Sequence, residues 1–432
     1  MTRNIFVLGL ADFQLRQLQS IRGADELRFH PLLDKRDVAH AHGRYDMPAL
    51  LSEGIATLES FDGSVDGIVG FWDFPTSALL PLLRRSFELS GPSLEQVLRC
   101  EHKHWSRKLQ REAIGSDHVP ACVPVDPFAE LAGAGIDLDF PFWLKPVKAH
   151  SSYLGFRIHD RAELQRALGQ IRAGIGRFGD PFDWTLEQAD VPEEVRRVGG
   201  YCCVAEAMIG GRQCTAEGWV RGDEVEVYGI VDSRRETGRS SFSRYQYPSV
   251  LPDEVQSEIV ELSTRVIRHL GLQDSCFNIE FFWDEPNERL WLLEINARCS
   301  NSHAPLFRRV DGASHQGIAV QLALGERPRF PRARGDFEMA AKFMYRRYKD
   351  AWVKRLPTAA EIETVEHEIS GTEVTVSARE GRHLSELVEQ DAYSFEILQV
   401  FVGGDSEAEL LHRYDDVMHR LQLELIETPN GR

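Results

Sequence analysis

The sequence predicts a mixed architecture, α/β at its N-terminal end and α+β beyond it, on three observations. Residues 1–98 alternate strand and helix, two aromatic and β-branched segments across 276–298 read as an antiparallel hairpin, and an amphipathic helix near Glu407–Leu423 closes the chain. A chain of 432 residues is expected to form more than one structural unit. The expected regions are 1–98, 99–330 with an inner lid at about 140–210, and a compact α+β tail at 331–432 after Gly325-Glu326-Arg327-Pro328.

In chain order, Ile5–Leu8 is a strand, Ala11–Ile21 a helix by its apolar spacing, Gly67–Trp72 a second buried strand, and Ser77–Leu89 its following helix. This alternation implies a small parallel sheet, in which ligands gather beyond the carboxyl ends of strands, here Gly9–Asp12 and Trp72–Phe74. Ser93–Ala113 reads as a single helix containing Lys103, ended by Gly115 and Pro120. Phe140–Pro146, Val204–Ile209 and Gln213–Gly218 then read as short strands. Gly174-Ile175-Gly176-Arg177-Phe178-Gly179 matches a dinucleotide fingerprint in spelling only: a helix, Ala162–Ile171, precedes it and Pro181 follows, whereas that turn needs a strand before and a helix after. The absence of any Gly-Lys dipeptide excludes a Walker A loop.

The hairpin carries the chemistry. With Asp284-Glu285-Pro286-Asn287-Glu288-Arg289 as its turn, centred near residue 287, Glu280 faces Glu294 and Asn278 faces Asn296. Opposed side chains on one sheet face sit roughly 4.5–5.5 Å apart, and like charges there repel, so a cation is expected between them. Period-two alternation puts Asn296 on the face of Glu294, which completes an all-oxygen set suited to Mg²⁺ carrying a nucleotide phosphate. Arg298 follows on that face as a fork for a phosphate or carboxylate. The apolar flanks oppose the alternative of a solvated surface ribbon.

Composition narrows the partners. Hydrophobic residues are 42% and charged residues 27%, an ordinary globular balance, and the formal net charge of -17 argues against nucleic acid. No apolar run approaches the ~18 residues that span a membrane, and Met1–Gly9 enters a strand without signal-peptide features. Seven cysteines, with Cys202 and Cys203 adjacent, fit a reducing cytoplasm.

A helix lysine, a strand Lys-Pro, a flexible loop, a Glu-x-x-Ile segment and a paired-acid hairpin, in that order, resemble the ATP-grasp superfamily, and within it the carboxylate-amine ligases such as bacterial L-amino acid ligases. The resemblance implies an ATP-grasp fold with a Rossmann-like domain before it and a C-terminal α+β subdomain after it. It implies ATP with Mg²⁺, or Mn²⁺ in its place, as the cofactors, a small carboxylate and an amine as substrates, and an amide bond made through an acyl phosphate with release of ADP and phosphate. Homodimerisation is left open.

Carried over by position, Lys103 and Lys145 would meet ATP phosphates, and Lys148–Gly155, with Ser151 and Ser152, would close over the triphosphate. Glu206, Ala207 and Ile209 would read adenine, Gln213 the ribose, and Glu280, Glu294 and Asn296 would hold the metal. Arg298 would stabilise the acyl phosphate, with Asn301, Ser302 and His303 continuing into the reaction centre, His303 as a base or a polar contact. The acyl substrate would meet Arg244 and Tyr245 in an arginine-rich loop, or Arg308 on the next helix. The rivals are a biotin-carboxylase-like enzyme activating bicarbonate and a nucleotide-binding protein without turnover.

Overall fold

The N-terminal alternation forms a three-stranded parallel sheet, in the order Leu27–Leu32, Arg3–Leu8, Gly67–Gly70, in a computed structural model that describes residues 2–39, 43–130, 132–150, 152–387 and 393–427. Ile5, Val7, Ile68 and Val69 have no solvent exposure, as strands covered on both faces should. The strand Leu27–Leu32 and the helix Met47–Glu59 are absent from the sequence reading. The strand lies at the sheet edge and is broken up by Arg28, His30 and Pro31, so it shows no apolar run. The helix did carry a start signal: Asp46 accepts a hydrogen bond from the Ala49 N–H at 3.1 Å, and Pro48 sits in the first turn.

The single helix expected over Ser93–Ala113 is two helices, Leu94–Glu101 and Lys103–Ile114, parted at His102. His102 leaves the helical region with ψ 97°, its Nδ1 accepts from the Trp105 N–H at 3.2 Å, and its Nε2 donates to the Val198 carbonyl at 2.8 Å. Burial holds this imidazole down to about 4, so it is the neutral ring that caps the second helix. The break makes Lys103 the first residue of a new helix.

The chain divides into two compact units. The first comprises Met1–Tyr228, Leu251–Asn301 and Gln316–Arg329. Besides the parallel sheet it holds a four-stranded antiparallel sheet, Cys122–Val125, Cys203–Ala207, Phe142–Pro146, Phe156–Ile158, whose core continues into the helix Arg161–Gly174 through Leu164, Leu168 and Ile171. The helices Arg161–Gly174 and Gly176–Glu187 fill the stretch containing the Gly174–Gly179 motif, with no strand before it. Phe178, Phe182 and Leu186 of the second of these helices join Met47, Leu50 and Phe74 in one buried cluster. The hairpin strands Ser275–Asp284 and Arg289–Asn296 extend a ladder with Arg212–Arg221, against which the amphipathic helix Asp253–Leu270 buries Ile259, Leu262 and Val266.

The second unit comprises Gly229–Val250, Ser302–His315 and Phe330–Arg432. In it Phe242–Tyr247, Met339–Arg347, Phe395–Gly404 and Glu373–Val376 pair antiparallel in that order. The helix Ala304–Asp311 packs on the Met339–Arg347 strand, and the C-terminal helix Glu407–Arg420 buries Leu410 and Val417 with Val400 and Val402. Among the described residues no helix is long and apolar enough to cross a membrane.

Candidate functional site

The hairpin register is the expected one: Glu280 pairs with Glu294, and Asn278 with Asn296. Toward the turn it shifts by one, Phe281 pairing with Leu292, so Leu293 is an extra residue in a bulge beside the acid pair. The neighbouring strand adds a third polar row on this face, with Thr215 opposite Glu280 and Glu217 opposite Asn278. Gln213 Nε2 donates to Glu280 Oε2 at 2.7 Å. Glu217 has no solvent exposure and accepts from Asn278 Nδ2 at 2.8 Å and from the Ser300 N–H at 3.2 Å, while Asn278 Oδ1 accepts from Asn296 Nδ2 at 3.2 Å. Asn296 is thereby oriented through two residues behind it.

Opposed like charges on a sheet cost on the order of 0.2–1 kcal/mol. Lys103 offsets this, with Nζ 3.4 Å from Glu294 Oε1. Burial pushes the Glu294 carboxyl up, but Lys103, Lys145 and Lys148 outweigh it and hold the group below its ordinary value, ionised at neutral pH. Burial pulls the Lys103 ammonium down, with Glu294 opposing. Lys103 Nζ also donates to the Ala149 carbonyl at 3.0 Å.

One turn after Lys103, on the same helix face, Arg107 joins three elements. Its Nε donates to Glu206 Oε1 at 2.8 Å, its Nη2 to the Leu293 carbonyl at 2.5 Å, and its Nη1 to the Leu292 carbonyl at 3.4 Å, so two successive carbonyls at the bulge meet one guanidinium. Lys145 Nζ lies 2.6 Å from the other Glu206 oxygen. Burial pushes the Glu206 carboxyl up, yet Arg107 and Lys145 bring it down to about 2. Its folded value lies below the ordinary 4.5, so the pairing contributes fully above pH 4.5 and is lost as pH falls toward about 2. Ala207 ends this strand with its N–H donated to the Ala121 carbonyl at 2.9 Å, and Ile209 lies past the strand end, half-buried.

Arg298 is already engaged. Its Nε donates to Asp73 Oδ1 at 2.7 Å, and its Nη2 reaches the same oxygen. Burial lowers the Arg298 affinity for protons, but Asp73 more than reverses this; burial likewise raises the Asp73 carboxyl and Arg298 brings it below its ordinary value. Asp73 follows the Gly67–Gly70 strand, at the carboxyl end marked from sequence. Lys148 Nζ lies 2.5 Å from Glu101 Oε2, with Phe74 beneath it at 5.5 Å. Burial holds His150 down to about 4, against the pull of Asp73. In the loop that follows, Ser152 and Leu154 adopt φ 57° and 54°, left-handed values that cost a non-glycine residue energy. Ser151 lies outside the described residues.

The remaining sequence-derived residues fall at several places. Asn301 ends a segment of the first unit and accepts from Gln316 Nε2 at 2.9 Å. In the second unit, Ser302 meets Lys342 Nζ at 3.2 Å, the His303 ring packs edge-on against Tyr245 at 5.0 Å, Arg244 pairs with Glu407 at 2.5 Å, and Arg308 with Glu373 at 2.9 Å. Sequence reasoning missed Arg107, Glu217 and Lys342. Arg107 stands at i+4 from Lys103 and Glu217 at i+4 along the strand from Gln213, spacings that would have found both.

Among the described residues no group of three or more His, Cys, Asp or Glu side chains forms a metal cluster. The set that fits a cation is two opposed carboxylates with an amide oxygen beside them, hard donors matched to Mg²⁺.

Comparison with known proteins bears on the fold. Residues 246–329, which contain Glu280, Glu294, Asn296 and Arg298, match the family model described as the carbamoyl-phosphate synthase L chain, ATP binding domain. The chain is 26% identical over 322 residues to the uncharacterized protein y4rH of Sinorhizobium fredii, covering 71% of this chain and 61% of that one. It is 30% identical over 187 residues to a D-alanine–D-alanine ligase of a Synechococcus species, covering 43% of this chain and 47% of that one. The chain thus spans about half to three-fifths of these relatives. The crystal structure of an L-amino acid ligase from Bacillus licheniformis superposes with a TM-score of 0.70 at 16% identity, over 99% of each chain. The chain has the ATP-grasp fold, the fold its sequence leads one to expect.

Proposed function

We propose that the chain is an ATP-dependent carboxylate-amine ligase. The observation that carries this reading is the acid pair: Glu280 and Glu294 in direct register, Asn296 on the same face, and Lys103 3.4 Å from one carboxylate. Two carboxylates in register, one of them held ionised by neighbouring lysines, suit a site that receives a metal-bound polyphosphate, since anionic phosphate balances the lysines and the metal balances the acids.

In the reaction, a carboxylate oxygen of the acid attacks the γ-phosphorus of ATP, the bond to the β-phosphate oxygen breaks, and ADP leaves. The amine then attacks the acyl phosphate carbon and expels orthophosphate. Protein groups do no covalent work in this scheme; they position and neutralise. Lys103 and Lys145 face the phosphates, Ser151 and Ser152 belong to the loop closing on them, and Glu206, Ala207 and Ile209 border the adenine. Gln213 serves the ribose once its amide turns from Glu280. Arg298 stabilises the acyl phosphate, and His303 would serve as a base or a polar contact. Mg²⁺, or Mn²⁺ in its place, held by Glu280, Glu294 and Asn296, would supply charge neutralisation on the phosphates.

A phosphate-release screen over amino acid pairs with ATP and Mg²⁺ tests the reading. With a competent pair, ³¹P NMR should show ADP and orthophosphate appearing together, and hydroxylamine should trap a hydroxamate when the amine is omitted. Stoichiometric AMP and pyrophosphate would overturn it, and turnover that requires only bicarbonate would favour the carboxylase rival.

Asp73 acts here by holding the Arg298 fork. Asp73→Asn is expected to lower kcat about 10–100-fold, the usual cost of losing an orienting partner, with the KM for ATP unchanged. A variant with wild-type kcat would mean that Arg298 needs no such support.

A further inference from the structure

Among the described residues, Lys342 is a buried charge of the second unit without an ion pair. It lies on the strand Met339–Arg347 at 5% exposure, and among the described residues its one hydrogen bond is to Ser302 Oγ at 3.2 Å. Its cross-strand neighbours are Tyr245 on one side and Phe401 on the other, with the ring centroids 5.9 and 5.7 Å from Nζ, so aromatic faces flank the ammonium along one row of the sheet. The nearby Glu396 is bound to Arg346 at 2.9 Å, so these three side chains together carry one surplus positive charge. Buried charges are normally paired, because an uncompensated one costs several kcal/mol.

A second feature points to the same place. The helix Ala304–Asp311 packs over this strand, and its N-terminus follows directly from Ser302, the partner of Lys342, and His303, whose ring meets Tyr245 at 5.0 Å. No side chain caps that helix start, and Pro305 occupies its first turn. A helix N-terminus and a buried ammonium joined through consecutive residues form a positive site with a hydroxyl beside it.

We infer that Lys342, with Ser302 and the start of the Ala304–Asp311 helix, forms a binding site for the carboxylate group of a small organic acid. One surplus charge and one hydroxyl match a monoanion, whereas a phosphate dianion would need more donors. The anion site stands on the geometry of this unit; that the carboxylate belongs to a substrate rests on the ligase reading. Burial lowers the Lys342 ammonium, with Glu396 opposing, and a bound anion would raise it again.

The probe is sodium acetate against acetamide, at ionic strength matched with sodium chloride, read by thermal unfolding of the full chain. Acetate should raise the wild-type midpoint more than acetamide does; the difference should vanish in Lys342→Met and persist in Lys342→Arg. In case Lys342→Met does not fold, the wild-type chain provides its own test: acetate, and not acetamide, should slow reductive methylation of Lys342, mapped by mass spectrometry. If the ligase screen yields an active pair, Lys342→Met should raise the KM of the carboxylate substrate about 10-fold or more, the scale of one charge-assisted hydrogen bond, with the KM for ATP unchanged. Equal acetate responses in wild type and Lys342→Met, or a response to inorganic phosphate in place of acetate, overturn the site. An acetate response in a chain without ligase activity would keep the site and sink the ligase reading, while an active ligase indifferent to Lys342→Met would do the reverse.

Discussion

Replacing Glu294 with Gln is expected to cut ATP-dependent phosphate release by about 10²–10⁴-fold, because it removes one of two charges opposed across the hairpin and with it several kcal/mol of charge stabilisation. The fold should survive. The variant loses a like-charge repulsion worth roughly 0.2–1 kcal/mol and also the ion pair with Lys103, so the two changes nearly cancel and the thermal midpoint should move little. Raising Mg²⁺ should recover part of the lost rate, since the variant still has Glu280 and Asn296. Phosphate release near the wild-type rate at ordinary Mg²⁺ would remove the acid pair from the chemistry.

The largest stability effect is expected at Arg107. It is 5% exposed and serves Glu206, Leu292 and Leu293 together. Arg107→Met fills much of the same space but leaves two bulge carbonyls without their donor and Glu206 with Lys145 alone. Breaking a buried pair in this way costs about 3–5 kcal/mol, equivalent to a midpoint roughly 6–10 °C lower by scanning fluorimetry. The acid limb should change as well. Without Arg107 the Glu206 carboxyl rises toward its ordinary 4.5, so stability that the wild type loses only as pH falls toward about 2 should be lost at higher pH. A variant with the wild-type midpoint and acid limb would show that the guanidinium is incidental to the bulge.

The hairpin register was legible because turn chemistry and period-two alternation are local and point the same way, so Glu280 met Glu294 as expected. The break at His102 was not, because the apolar spacing runs through it and the ring that caps the second helix is held by the distant Val198 carbonyl. Arg298 was read as a free fork, and its tie to Asp73 joins residues 225 apart in sequence, a distance no local pattern crosses. Lys342 was passed over since residues 331–432 were read only as a compact α+β tail, and its buried setting is visible only once its neighbours are known.

The bulge at Leu293 insulates the acid pair from its own turn. On one side of it the pairing runs Asn278 to Asn296 and Glu280 to Glu294; on the other it is offset by a residue, and Arg107 grips the carbonyls at the point of change. Strain or length changes introduced between Phe282 and Trp291 therefore meet an anchored discontinuity before they reach the carboxylates. The hairpin tip is in effect a replaceable part: its sequence can drift, or be exchanged for another turn, while the spacing of the two acids is kept by a residue on a different helix.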